Sequence, residues 1–170
     1  MAKTIYIFAG VNGVGKTSFA KLMLPELEGN VSFLNADVIA MQANPRNPEK
    51  AAVSAGKEML ARIEKCLSND ESFVLETTLS GLTYAKKIPR WQQAGYTVVM
   101  YYLFVDFVEV CLSRIRYRVM QGGHHIPDET VMRRHNRSRV NFDNTYKTLV
   151  DKWYLVDAND RPPRIVEKST

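Results

Sequence analysis

The stretch Phe8-Ala9-Gly10-Val11-Asn12-Gly13-Val14-Gly15-Lys16-Thr17 decides the fold. From Gly10 onward it follows G-x-x-x-x-G-K-[ST], the spacing of a loop that wraps a phosphate. Lys3 to Ala9 ahead of it reads as a buried strand, and Ser18 to Leu24 behind it reads as the opening turns of a helix, the context the motif requires. Backbone N–H groups from Gly13 to Thr17 would have no intrahelical acceptor and can point at an anion. The glycines let the chain close around that anion without a Cβ in the way. The expected nucleotide contacts are therefore Gly10, Asn12, Gly13, Val14, Gly15, Lys16, Thr17 and Ser18. Lys16 is expected at the β- and γ-phosphates of ATP, and the Thr17 hydroxyl on Mg²⁺.

Around this loop the chain has the size of one domain, 170 residues, expected to fold as a unit over 1–170. Its 45% hydrophobic content is that of a globule able to bury a core without disulfides or a structural metal. Cys66 and Cys111 have no metal-type spacing and read as free thiols of a reducing, cytoplasmic setting. The first ten residues are expected to form a strand rather than a leader, and no apolar run approaches a membrane span. The net charge of +5 is concentrated between Arg114 and Arg139, where seven arginines face two acids. Such a window points to an anion site. Nucleic acid would call for a wider basic surface and aromatic platforms.

The first helix is expected from about Lys16 to Leu24, stopped by Pro25. After Glu28-Gly29-Asn30, residues Val31 to Asn35 read as the second strand. Asn44 to Glu49 is a loop rich in breakers, and a helix follows to about Leu67 with Ala52, Ala55, Met59, Ile63, Cys66 and Leu67 as its buried stripe. Ser72 to Leu75 is a short third strand ending at Glu76-Thr77-Thr78. A helix over Leu82 to Ala94 precedes Tyr96 to Phe104, the most continuous apolar run, which reads as a central parallel strand. Asp106 is the expected cap of a helix through about Val119, broken by Gln121-Gly122-Gly123-His124-His125-Ile126-Pro127. A long helix from Asp128 to Val150, a last strand over Trp153 to Asp157, and a short edge piece at Ile165 and Val166 complete the pattern. This alternation predicts a three-layer α/β P-loop fold with a mostly parallel sheet and ligands beyond the carboxyl ends of its strands.

Four polar signals fall at those ends: the loop at Gly10, Asp37, Glu76 and Asp106. A carboxylate at Asp37 would orient a substrate hydroxyl and accept its proton; the competing reading is an N-cap for the residues that follow. Glu76 could hold a water on Mg²⁺ or bind a substrate hydroxyl, and Thr78 could bind substrate. The second Mg²⁺ contact stays open among Asp37, Glu76 and Asp106. Arg114 and Arg118 share a helix face, and Arg133 and Arg134 open the next helix, so a lid over about 114–139 would bring guanidiniums to a phosphoryl group. The paired glycines would let it close and exclude water. Arg116, Arg137 and Arg139 read as solvated surface. His124 and His125 lack a third ligand at useful spacing for a metal.

The phosphate loop, Asn35-Ala36-Asp37, Ala51 to Glu58, Glu76-Thr77-Thr78-Leu79-Ser80-Gly81, Gln121 to Pro127 and Arg133-Arg134 together resemble the zeta-toxin-like P-loop kinases, especially short bacterial members also described as predicted ABC-type ATPases. The resemblance spans nearly the whole chain and implies a nucleotide-kinase-like fold. It also implies ATP-dependent phosphorylation of a hydroxyl on a small molecule, such as the nucleotide sugar UDP-N-acetylglucosamine. Carried over, it makes Lys16 and Thr17 the ATP and Mg²⁺ residues, Asp37 the base, Glu76 and Thr78 substrate contacts, and Arg118 and Arg134 the phosphate-contacting arginines; Arg114, from the arginine window itself, is a further expected substrate contact. It also implies a separate antitoxin protein as partner. Thr77 stands where larger toxins tend to carry glycine, and the chain is much shorter than theirs. The alternative function is a nucleotide-gated binding protein or ATPase without a small acceptor.

Overall fold

The computed structural model describes residues 3–27 and 31–170; Met1, Ala2 and Glu28-Gly29-Asn30 lie outside them. Along the chain come β1 (Lys3–Ala9), α1 (Lys16–Met23), β2 (Ser32–Asn35), α2 (Ala36–Ala43), α3 (Ala52–Ser68), β3 (Phe73–Thr77) and α4 (Ile88–Gln93). There follow β4 (Tyr96–Phe104), α5 (Val108–Met120), α6 (Asp128–Asn141), α7 (Lys147–Leu149), β5 (Lys152–Asp157) and β6 (Arg164–Lys168). The strands form one sheet in the order β2-β3-β1-β4-β5-β6. The first five run parallel and β6 closes one edge antiparallel. Starting from β1 the chain builds two strands on one side and then returns to build on the other. The end of β1 is therefore the point where the winding reverses, and a crevice opens there.

Alternation along the central strands sorts the core into two layers. Ile5, Ile7, Phe73, Leu75, Val98, Met100 and Tyr102 pack under α3 and α4 with Met59, Ile63 and Trp91. Phe8, Val74, Val99, Tyr101 and Leu103 face the opposite way, against Phe19 of α1 and Cys111, Leu112 and Ile115 of α5. The last long helix joins both layers. Val131 near its start belongs to the α1–α5 side, while Phe142 and Tyr146 belong to the α3–α4 side. It thus crosses the carboxyl edge of the sheet and carries Arg133 and Arg134 over the strand ends.

Several expected elements come out differently. Ala36 to Ala43 is a helix, capped by Asn35, whose side chain accepts from the N–H groups of Asp37 and Val38. Asp37 is therefore in the first turn and is not the cap. The helix expected over Leu82 to Ala94 is regular only from Ile88. Pro89 is tolerated in a first turn but has no N–H for the helix ladder, so Leu82 to Lys87 form turns. The Ala85 N–H goes instead to the Tyr146 hydroxyl. The helix expected from Asp128 to Val150 is continuous but widens into a π turn over Phe142–Tyr146. That turn brings both aromatic rings into the core, with Phe142 stacked on Tyr102 at 4.2 Å between ring centres. Asp106 does not cap α5, which begins after Phe107 without a side-chain cap; its carboxylate accepts from Asn159 Nδ2.

The fully buried Phe142 stack is the joint between the crossing helix and the sheet. Phe142→Ala is expected to cost about 3–5 kcal/mol of stability, read as a lower urea midpoint at unchanged slope.

Candidate active site

The loop after β1 turns into α1 through Gly15, which holds a left-handed φ of 111°. Among the described residues, the N–H groups of Gly13, Gly15, Lys16 and Thr17 meet no backbone or side-chain acceptor. They are the unpaired donors of a helix N-terminus, where backbone dipoles also favour negative charge. A Cβ at Gly15 would meet nothing within 4 Å, so the cradle is open on that side. At Gly13 the loop instead backs onto α5, where a Cβ would lie 2.6 Å from the Cys111 carbonyl oxygen.

Lys16 is 7% exposed. Its Nζ donates to the Val11 carbonyl at 3.1 Å and lies 3.9 Å from Glu76 Oε1. Burial lowers the lysine pKa, against the raising pull of Glu76 and Asp37. Burial likewise raises the Glu76 carboxyl above the ordinary range, opposed by Lys16 and the Thr17 hydrogen bond. The Thr17 hydroxyl donates to Glu76 Oε2 at 3.2 Å. This hydroxyl and carboxylate, beside the phosphate cradle, suit Mg²⁺, which takes few protein ligands and keeps waters and phosphate oxygens. Among the described residues no cluster of three His, Cys, Asp or Glu side chains forms a metal cage. Glu76 sits with Lys16 and Thr17, so the residue expected among substrate contacts is a neighbour of the phosphate loop.

A cavity of about 540 Å³ opens beside the loop. Asn12, Asp37, Met41, Arg118, Arg133 and Arg134 are among its lining residues. Asp37 is exposed there, and among the described residues no side chain engages its carboxylate. Arg134 Nη1 donates to Asn12 Oδ1 at 2.9 Å, which ties α6 to the phosphate loop. His124 and Glu49, both on the cavity wall, approach to 3.8 Å. The structure thus brings together Lys16, Thr17, Glu76, Asp37, Arg118 and Arg134. It does not bring Thr78 to the cavity wall. That hydroxyl pairs with Ser80 at 2.9 Å, in a loop whose Leu79 has a left-handed φ of 56° and a carbonyl held by Asn141 Nδ2.

Arg114 also differs from expectation: its guanidinium bonds to the carbonyls of Val14, Ala158 and Asn159 and is not among the cavity-lining residues. Nor is Gly122-Gly123 a free hinge. The Gly122 N–H bonds to Val119 and the Gly123 N–H to Arg118, a Schellman stop that fixes the end of α5. Arg116 is exposed, as expected, and pairs with Asp128 at the surface; Arg139 is half-buried and pairs with Asp143. Asn35 and the Asn12–Arg134 tie were missed as working parts. For Asn35 the signal was present, an asparagine directly ahead of a helical run; for Asn12 the partner is 122 residues away.

The fold and site define a P-loop, nucleotide-kinase-like α/β protein. The chain belongs to the zeta toxin family, whose profile, described as Zeta toxin, matches residues 1–162. An uncharacterized protein of Haemophilus influenzae is 30% identical over 135 residues, covering 79% of this chain and 94% of that relative. The fold is similar to a structure from the PezAT chromosomal toxin-antitoxin system of Streptococcus pneumoniae, with a TM-score of 0.73 at 18% identity over 99% of this chain and 72% of the other. It is also similar to an AvrRxo1-ORF1:-ORF2 structure with ATP, with a TM-score of 0.71 at 18% identity over 98% of this chain and 58% of the other.

The two loop glycines separate packing from binding. Gly13→Ala combines left-handed strain with a backbone collision, and we expect it to cost more than the ~1–3 kcal/mol that strain alone carries. Gly15→Ala meets no collision, so we expect it to lower thermal stability less, yet to weaken binding of tripolyphosphate because its methyl enters the open cradle. Calorimetric titration and thermal melts of both variants check this.

Proposed function

We propose that the protein is an ATP-dependent kinase that transfers the γ-phosphoryl group to a hydroxyl of a small molecule. The observation that carries the reading is the position of Asp37, exposed on a cavity wall shared with Arg118 and Arg134, beside a phosphate cradle completed by Lys16. In this reading the chain 1–170 works as one kinase-like unit with a lid over about 114–139. The amides of the loop hold the triphosphate, and Lys16 neutralises charge on its β and γ oxygens. Asp37 orients the acceptor hydroxyl and takes its proton as the new oxygen–phosphorus bond forms and the bond to the leaving ADP oxygen breaks. Arg118 and Arg134 stabilise the charge spread over the transferring group. Mg²⁺, held through Thr17 with Glu76 reaching it by way of water, would supply further charge neutralisation at the phosphates.

The acceptor class implied by the family resemblance is a nucleotide sugar such as UDP-N-acetylglucosamine, and a cavity of about 540 Å³ supports an acceptor of small-molecule size. The PezAT relationship supports a separate antitoxin protein as partner. Buried free thiols at Cys66 and Cys111 support a cytoplasmic setting; burial pushes the Cys111 thiol up to about 11. Among the described residues no helix is long and apolar enough to cross a membrane.

The test is incubation with ATP, Mg²⁺ and a panel of hydroxyl compounds including nucleotide sugars, read by mass spectrometry. A phosphorylated acceptor is the expected product; ATP loss without any phosphorylated acceptor would leave only an ATPase. With an acceptor in hand, Lys16→Ala is expected to lose most turnover. Asp37→Asn is expected to bind ATP normally while turnover falls about 10²–10⁴-fold, the usual contribution of a positioned base. Turnover unchanged in the Asp37 variant would remove it from the chemistry.

A further inference from the structure

Arg114 is the guanidinium of the seven-arginine window whose contacts are all with backbone carbonyls. From α5, its Nη1 donates to the Val14 carbonyl at 3.1 Å. Its Nη2 donates to the carbonyls of Ala158 at 2.9 Å and Asn159 at 3.0 Å. One planar fork therefore joins α5, the phosphate loop after β1 and the segment after β5. That last segment is itself fixed. Asn159 Nδ2 donates to Asp157 Oδ1 and Asp106 Oδ2, and its Oδ1 accepts from the Asp106 N–H.

The contact at Val14 has a stereochemical consequence. The Val14 carbonyl and the Gly15 N–H belong to one planar trans peptide, so they point in opposite directions. Drawing the carbonyl toward Arg114 turns the Gly15 N–H away from α5. That N–H has no acceptor among the described residues, and it adjoins a position where a Cβ would meet open space. Gly15 has no side chain to fix this peptide for itself, and its left-handed φ of 111° is reached readily only by glycine. The plane has to be held from outside.

We propose that Arg114 is a positioning residue for phosphate binding: by gripping the Val14 carbonyl against the Ala158–Asn159 segment, it aims the Gly15 N–H into the anion cradle. It touches no phosphate itself. This rests on the assignment of the loop to a polyphosphate, as in the proposed kinase, but not on the identity of the acceptor. Because its partners are neutral, the guanidinium also leaves its positive charge uncancelled behind the loop. The fork and the charge are separable: lysine keeps the charge but cannot bridge the same carbonyls with a rigid planar fork.

The experiment measures dissociation constants of tripolyphosphate and of a fluorescent ATP analogue for the full chain, for Arg114→Gln and for Arg114→Lys, with circular dichroism and thermal melts alongside. Arg114→Gln is expected to weaken both ligands about tenfold or more, and Arg114→Lys by several fold, with the native spectrum retained. Binding equal to the unmodified chain in the glutamine variant overturns the proposal. Complete recovery by lysine also overturns it, because charge alone would then suffice. Should the glutamine variant not fold, the lysine variant decides by the same criterion. If the unmodified chain binds neither ligand, the assignment of the loop fails, and the role of Arg114 falls with it; normal binding by the unmodified chain together with unaffected variants removes only the role of Arg114.

Discussion

A lysine ammonium taken out of water needs an anion, and the carboxyl ends of the strands are arranged around that need. Lys16 is buried, yet its partners among the described residues are one carbonyl at 3.1 Å and a carboxylate at 3.9 Å, beyond direct hydrogen-bond reach. Neither contact fully compensates for the lost hydration, which is why burial dominates and its pKa is lowered. Glu76 suffers the matching penalty on the other side. A polyphosphate laid across the loop would bring negative charge to this undercompensated cation. The same oxygens would meet the amides of Gly13, Gly15, Lys16 and Thr17, which have no other partner among the described residues.

Such a site works only if the loop is held still, and it is held from three directions. Behind it, α5 packs so closely that the Gly13 position has no room for a methyl group. Across the cavity, Arg134 bonds to Asn12. On the side of β5, Arg114 bridges the loop to Ala158 and Asn159. The first and third of these come from α5, the second from α6, and α6 reaches the loop only because it crosses the sheet edge. The π turn at its end is part of that crossing. By widening the helix where Phe142 and Tyr146 enter the core, it anchors one end in the α3–α4 layer while Val131 anchors the other beside α5. The arginines of α6 are thus placed by aromatic packing at some distance from them along the helix.

The parts legible in the sequence are those with local causes. The glycine spacing, the strand ahead and the helix behind fix the cradle, and the β4 run declares a strand covered on both faces. The edge position of β6 follows from a short apolar pair beyond the Pro162-Pro163 break. What was not legible depends on partners distant in sequence. Asn35 and Asp37 compete for one cap, and composition does not choose between them; the helix begins one residue earlier than the aspartate and gives the cap to Asn35, which frees Asp37 for the cavity. Thr78 carries the right chemistry, but the left-handed turn at Leu79, held by Asn141, pairs its hydroxyl with Ser80. The glycine pair at 122–123 looks like a hinge in one dimension and is a hydrogen-bonded helix stop in three.

The arginine window shows the same limit, and resolves it. A count of seven basic groups against two acids does not say where the field points. The contacts do. Arg116 and Arg139 meet Asp128 and Asp143, so their charges are largely cancelled close by. Arg134 and Arg114 bond to an amide oxygen and to carbonyls, which orient a guanidinium without neutralising it. Arg118 and Arg133 line the cavity, and no carboxylate among the described residues forms an ion pair with either. Acids are therefore spent on the arginines that brace helices, while those around the loop and cavity keep their charge. Asp37 is set among them, on a cavity wall that Glu49 also lines. That placement sets its carboxylate oxygens beside a positive surrounding of the kind a phosphoryl group in transit would require.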